Sequence, residues 1–175
     1  MTCTPPQSPG FGVHSIGLTE WKPAARPGGD TLAKRIYFAG PLFSAAERDW
    51  NATLAAALRG AGHEVFLPQE QEPGKEAAGI FASDVGGIDW ADGLVAIMDG
   101  ADPDSGTCWE VGYAYRKKPI VLVRTDMRRN AGIGGSGYNP MLTESATIRV
   151  DAVAASIDRV AREVLDALAR LEAAS

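Results

Sequence analysis

From Arg35 onward the sequence is punctuated by short apolar runs: "RIYFAGPLF", "HEVFLP", "LVAIM", "PIVLVR" and a brief "TIRV". "LVAIM" and "IVLV" show no alternation of apolar and polar residues, so both faces of such a strand must be covered. Between the runs lie stretches whose apolar residues recur every three or four positions, the helical period. Strands that alternate with helices line up in parallel, and the connecting helices wrap the sheet on both sides. Few other architectures accept this pattern.

The individual elements carry their own start and stop signals. "SAAE", Ser44 to Glu47, is a capping-box pattern, and Trp50, Leu54, Ala57, Leu58 and Ala61 follow at helical spacing until Gly60 and Gly62. Ile80, Phe81, Val85 and Ile88 define a face of a second helix, although Gly86 and Gly87 weaken it. A third helix opens near Thr107, and a last one carries Val153, Ile157, Val160, Val164, Leu168 and Leu171. "NAGIGGSGYNP" reads as a loop; its glycines echo a phosphate cradle, but the lysine of that motif and a strand-to-helix context are missing. The expected fold is α/β, a three-layer flavodoxin-like or Rossmann-like domain with a parallel sheet of about five strands. Residues 1–34, with "TPPQSPGFG" and "WKPAARPGGD", read as a Pro/Gly-rich and partly disordered extension, so the domain proper is 35–175.

Charge and cysteine content narrow the function. Seventeen basic against 22 acidic residues give a net charge of −5, which disfavours a nucleic-acid partner. Cys3 and Cys108 make no disulfide framework, and His14 and His63 stand far apart, so no metal site is expected. A reducing, cytoplasmic setting follows. No run of 18 apolar residues and no basic-then-apolar leader is visible, so no membrane or secretory role is expected.

In such sheets ligands bind beyond the carboxyl ends of the strands, where strand order reverses. Three segments, "AGPLFS", "PQEQEP" and "DGADPDSGTCWE", end there and bring Gly40, Phe43, Gln69 and Asp104 as candidate substrate contacts. Glu110 is placed in the first turn of a helix, where the dipole keeps a carboxylate ionised and fit for a nucleophile. Acids are common in first turns for that same reason, so the position alone does not decide. Asp84 and Asp92 lie on or beside the preceding helix. Turned towards the site, Asp84 would be desolvated and protonated, and a low-pKa nucleophile with a raised-pKa acid is the pair that glycosidic chemistry uses. Cys108 has no histidine near it and reads as buried packing. Tyr37 and Phe43 flank the first turn and offer an aromatic face to a base or sugar.

"IYFAGPLFS", "DVGGIDWADGLVAIMDG" and "DSGTCWEVGYA" before "KPIVLV" together resemble the nucleoside 2-deoxyribosyltransferases, in order from about Arg35 to Val150. The resemblance implies a flavodoxin-like domain that moves 2-deoxyribose between nucleobases in two displacements, without a cofactor. It implies Glu110 as the nucleophile at C1′, Asp84 as the acid on the base, and Asp104 as the binder of the 5′-hydroxyl. It further implies Tyr37 as the residue orienting the nucleophile and Asp92 as another acid near the base. "YNPML" resembles a segment that a neighbouring subunit inserts into the site, bringing Asn139 and Met141 and implying a homo-oligomer, dimer or hexamer. The partners are then deoxynucleosides and free nucleobases. A related N-glycoside hydrolase, passing the sugar to water, is the nearest alternative, and a sensing module without turnover is another.

Overall fold

The chain enters its sheet through β1 (Arg35–Ala39), and every later strand runs parallel to it. The computed structural model describes residues 34–71, 74–128 and 139–173. Apart from Lys34, the expected extension over 1–34 lies outside the described residues, as do the glycines of "GIGGSG". After β1 come α1 (Ala45–Gly60), β2 (Glu64–Phe66), α2 (Pro68–Gln71), α3 (Ala77–Trp90) and β3 (Gly93–Ile97). Then follow α4 (Ser105–Ala114), β4 (Ile120–Arg124), α5 (Pro140–Thr143), β5 (Ile148–Asp151) and α6 (Ile157–Ala173). The five strands are ordered β2-β1-β3-β4-β5, the flavodoxin-like order.

Side chains alternate across each strand, and each set meets helices. Ile36, Phe38, Val95, Ile97, Val121 and Val123 pack with Leu54 and Leu58 of α1 and Val160, Val164 and Leu168 of α6. The opposite set, Tyr37, Ala39, Leu94, Ala96, Ile120 and Leu122, packs with Ile88 of α3, Val111 and Ala114 of α4, and Leu142 of α5. Covering both faces is what the unbroken apolar runs require. Among the described residues no helix is long and apolar enough to cross a membrane.

The capping box forms as its residues suggest. Ser44 Oγ accepts from the Glu47 amide at 3.2 Å, and Glu47 Oε2 accepts from the Ser44 amide at 2.7 Å. Caps of this kind are worth about 1 kcal/mol. The inward face of α1 is slightly rotated from expectation: it buries Asn51, Leu54, Ala55 and Leu58, while Trp50 and Ala57 are half-buried and Ala61 is exposed past the helix end. Val153 lies before α6 rather than in it, because Ala154 takes a left-handed φ of 54° that interrupts any helix there.

The largest departure is in α3. Phe81 is exposed, and the buried contacts are Gly87 and Ile88. A Cβ at Gly87 would stand 2.7 Å from the Phe66 ring, so glycine lets α3 approach β2 closely. The neighbouring Gly86 has open space around it. Gly86→Ala is therefore expected to stabilise the protein by up to about 1 kcal/mol through helix propensity. Gly87→Ala is expected to destabilise it by about 1–3 kcal/mol through overpacking. Urea unfolding of the two variants checks this, and equal shifts would contradict the packing described.

Candidate active site

The reversal in strand order falls between β1 and β3, so the crevice opens past Ala39 and Ile97. The chain leaving β3 crosses that crevice and turns into α4. Asp104 is the N-cap: its Oδ2 accepts from the Thr107 amide at 2.8 Å and from Thr107 Oγ1 at 3.1 Å. Gly106 keeps the space beside this carboxylate clear, since a Cβ there would lie 3.1 Å from Oδ2.

With α4 starting at Ser105, Glu110 falls in the second turn, not the first, and no acid occupies the first turn. This corrects the expected electrostatics. Instead of being held ionised by the helix terminus, Glu110 is half-buried, and loss of water pushes its carboxyl up to about 8. The negative charges of Asp84 and Asp104 push the same way, while a hydrogen bond from Tyr37 opposes them. That bond is short: Tyr37 Oη donates to Glu110 Oε1 at 2.5 Å. Tyr37 is itself fully buried and stacked on Phe66, ring centroids 5.4 Å apart, so its hydroxyl has little freedom. β1, α3 and α4 thus bring together Tyr37, Asp84, Asp104 and Glu110.

Asp92 is not brought there. It precedes β3 at the amino edge of the sheet, where Arg35 donates to it from its amide and its guanidinium, the shortest contact being 2.6 Å. Proximity to Asp84 in sequence misleads because the second half of α3 carries the chain back from the carboxyl edge of the sheet to the amino edge, where β3 begins. Gln69 is buried and spends its amide on α1, donating to the Arg48 carbonyl at 2.9 Å and accepting from Asn51. Burial pushes the half-buried Cys108 thiol up, which fits a packing role.

On the α1 side the crevice deepens into a cavity of about 570 Å³ lined by Phe43, Trp50, Asn51, Asp99, Asp104 and Asp126 among others. Phe43 is exposed on its rim, and Gly40 sits just behind, where a Cβ would touch Asn51 and Ile97 at 3.4 Å. Asn139 caps α5 by accepting from the Met141 amide at 2.9 Å, and Met141 is exposed.

The profile of the family described as "Nucleoside 2-deoxyribosyltransferase" matches residues 36–155. The chain belongs to the nucleoside 2-deoxyribosyltransferase family. Among solved structures, it is 28% identical to a conserved protein from Enterococcus faecalis V583, with a TM-score of 0.60 and coverage of 77% of this chain and 98% of that one. It is 29% identical to the 2-deoxyribosyltransferase of Bacillus psychrosaccharolyticus, with a TM-score of 0.56 and coverage of 72% and 89%. The fold alone is shared with a CMP N-glycosidase from Clostridium botulinum, 18% identical with a TM-score of 0.55 and coverage of 75% and 97%. A comparison with curated protein sequences gives no match.

For this member of the deoxyribosyltransferase family, sequence reasoning overlooked Asn51, Asp99 and Asp126 in the cavity wall. Asn51 donates to the Pro41 carbonyl at 2.8 Å and so holds the loop after β1. Asp99 and Asp126 each follow the carboxyl end of a strand, in "IMDG" and "RTDM". That repeated position was the available signal.

Proposed function

We propose that the protein transfers 2-deoxyribose from one nucleobase to another by double displacement, through a covalent deoxyribosyl–Glu110 intermediate. The observation that carries this reading is Glu110 itself: a half-buried carboxyl on the sheet's carboxyl-edge helix, gripped on one oxygen by Tyr37. Tyr37 occupies Oε1, so Oε2 is the attacking oxygen. In the first displacement Oε2 bonds to C1′, and the electron pair of the C1′–N bond leaves with the base. Asp84 gives that base a proton, without which it is a poor leaving group. In the second, the incoming base bonds to C1′, the ester pair returns to Glu110, and Asp84 takes up the proton the new base releases. The sugar is cation-like in both transition states, and an anion beneath it lowers the barrier.

Asp104 is assigned to the 5′-hydroxyl through Oδ1, since Oδ2 caps α4. A carboxylate there disfavours a 5′-phosphate, which supports unphosphorylated deoxynucleosides as substrates. Phe43 and Gly40 border the place of the base. Asn139 and Met141, at the start of α5, are assigned to a neighbouring subunit's site in a homo-oligomer.

One assay tests the reading. With deoxyinosine or thymidine and free adenine or cytosine, the exchanged nucleoside is expected to accumulate. Free base without exchange, whatever the acceptor, would make the protein a hydrolase using the same intermediate; no reaction with any nucleoside would leave a binding module.

A further inference from the structure

The loop that delivers Asp104 is tied to the loop after β4 by a set of partly buried polar contacts which the proposed chemistry does not use. Arg124, the last residue of β4, is 2% exposed. Its guanidinium donates to the Met98 carbonyl at 2.8 Å, to the Gly100 carbonyl at 3.0 Å and to the Arg128 carbonyl. Asp99 answers from just past β3: Oδ1 accepts from the amides of Thr125 at 2.6 Å and Asp126 at 2.9 Å, and Oδ2 accepts from Thr125 Oγ1. Asp126 closes the set by accepting from the Gly100 amide at 3.1 Å. Between these anchors Gly100 adopts φ +107°, and a Cβ there would stand 2.9 Å from the Asp102 carbonyl oxygen, so the turn admits little but glycine.

Each strand end thus holds the other's loop. Both oxygens of Asp99 already accept from the end of β4, so although it borders the cavity its carboxylate is oriented by that loop. Asp104 follows this clasped turn directly and is fixed on its other side by capping α4. We infer that Asp99 and Arg124 are positioning residues: their clasp sets the β3–α4 loop so that Asp104 reads the 5′-hydroxyl of the sugar. The inference rests on the sugar-binding role proposed above for Asp104.

The test is the ratio of kcat/KM for a 2′-deoxynucleoside to that for its 2′,5′-dideoxy analogue. A site built around a hydroxyl rejects the analogue lacking it by several orders of magnitude, so the wild-type ratio is expected to be at least about a hundred. Asp99→Ala is expected to bring it to within about threefold of unity. Asp99→Asn keeps Oδ1 as acceptor and can donate to Thr125 Oγ1, so it is expected to restore most of the ratio. Arg124→Met is expected to behave like Asp99→Ala; should it fail to fold, the Asp99 pair decides. Equal losses on both substrates in Asp99→Ala, with the ratio unchanged, would overturn the inference while leaving the proposed transfer standing. A wild-type ratio near one would overturn it as well, and wild-type protein inert towards every nucleoside would remove the proposed function along with it.

Discussion

Glu110→Gln is expected to abolish sugar exchange and, at alkaline pH, to leave a more stable protein. Glutamine keeps the size of the side chain and an oxygen for Tyr37, but it has no anion to bond to C1′. Removing a nucleophile that acts in concert with its partners typically costs at least about 10⁴-fold in kcat. The stability effect has the opposite sign because of where the proton resides. The Glu110 carboxyl titrates near its ordinary 4.5 when unfolded and at about 8 when folded. Between those values the folded protein keeps a proton that the unfolded chain has released. Stability therefore falls as pH rises through that window and is lowest above it. The glutamine variant never meets this cost. Above about pH 8 it is expected to exceed wild type by a few kcal/mol, or an unfolding temperature about 5–10 °C higher. Near pH 4 the two should unfold together. Melting curves across that range check it, and a glutamine variant less stable than wild type at alkaline pH would contradict the burial described for Glu110.

The second large effect concerns how activity follows pH. Asp84 raises Glu110 through its charge, so the two carboxyls titrate as a pair. The proposed transfer requires one proton in that pair: Glu110 anionic for attack, with the proton on Asp84 for the departing base. The tautomer with the proton on Glu110, which burial favours in the free protein, carries the same total charge. Passing between the two takes no proton from solution, so wild-type activity survives until the pair loses its proton altogether. For deoxyinosine, kcat/KM is expected to fall above about pH 8, approaching about tenfold per pH unit. Asp84→Asn reverses the limb. With no acid left, a proton on Glu110 only blocks attack, so the residual kcat/KM rises with pH. It levels off below the wild-type transition, because removing the charge of Asp84 lowers Glu110. A wild-type profile that climbs through pH 8 would show that the pair shares no proton in the reaction.

The sheet was legible because burial on both faces leaves a mark in the chain: Val95, Ala96 and Ile97, or Val121, Leu122 and Val123, point alternately to opposite helical layers and are apolar throughout. Position along a helix was harder to read. Asp104 caps α4, which places Glu110 two residues deeper than a start near Thr107 suggests, in the second turn, and Glu110 then meets a tyrosine 73 positions earlier in the chain. Its titration is governed by that depth and by Asp84, neither of which a local window contains. Asp92 shows the converse. Its neighbours resemble a site motif, but an aspartate just before a parallel strand belongs to the edge opposite the crevice, and Arg35 claims it there. The tight approach of α3 to β2 at Gly87, with Phe81 left outside, also depends on a partner in another element, Phe66.

The proposed transfer depends on a bond between the Glu110 carboxylate and the sugar. Mass spectrometry of acid-quenched protein, mixed with a deoxynucleoside and no acceptor base, tests it most directly. The expected result is the mass of one deoxyribosyl group added to the peptide containing Glu110, lost when adenine is supplied and absent from Glu110→Gln. Turnover at a normal rate with no adduct on that peptide, or an adduct mapped to another residue, would contradict it.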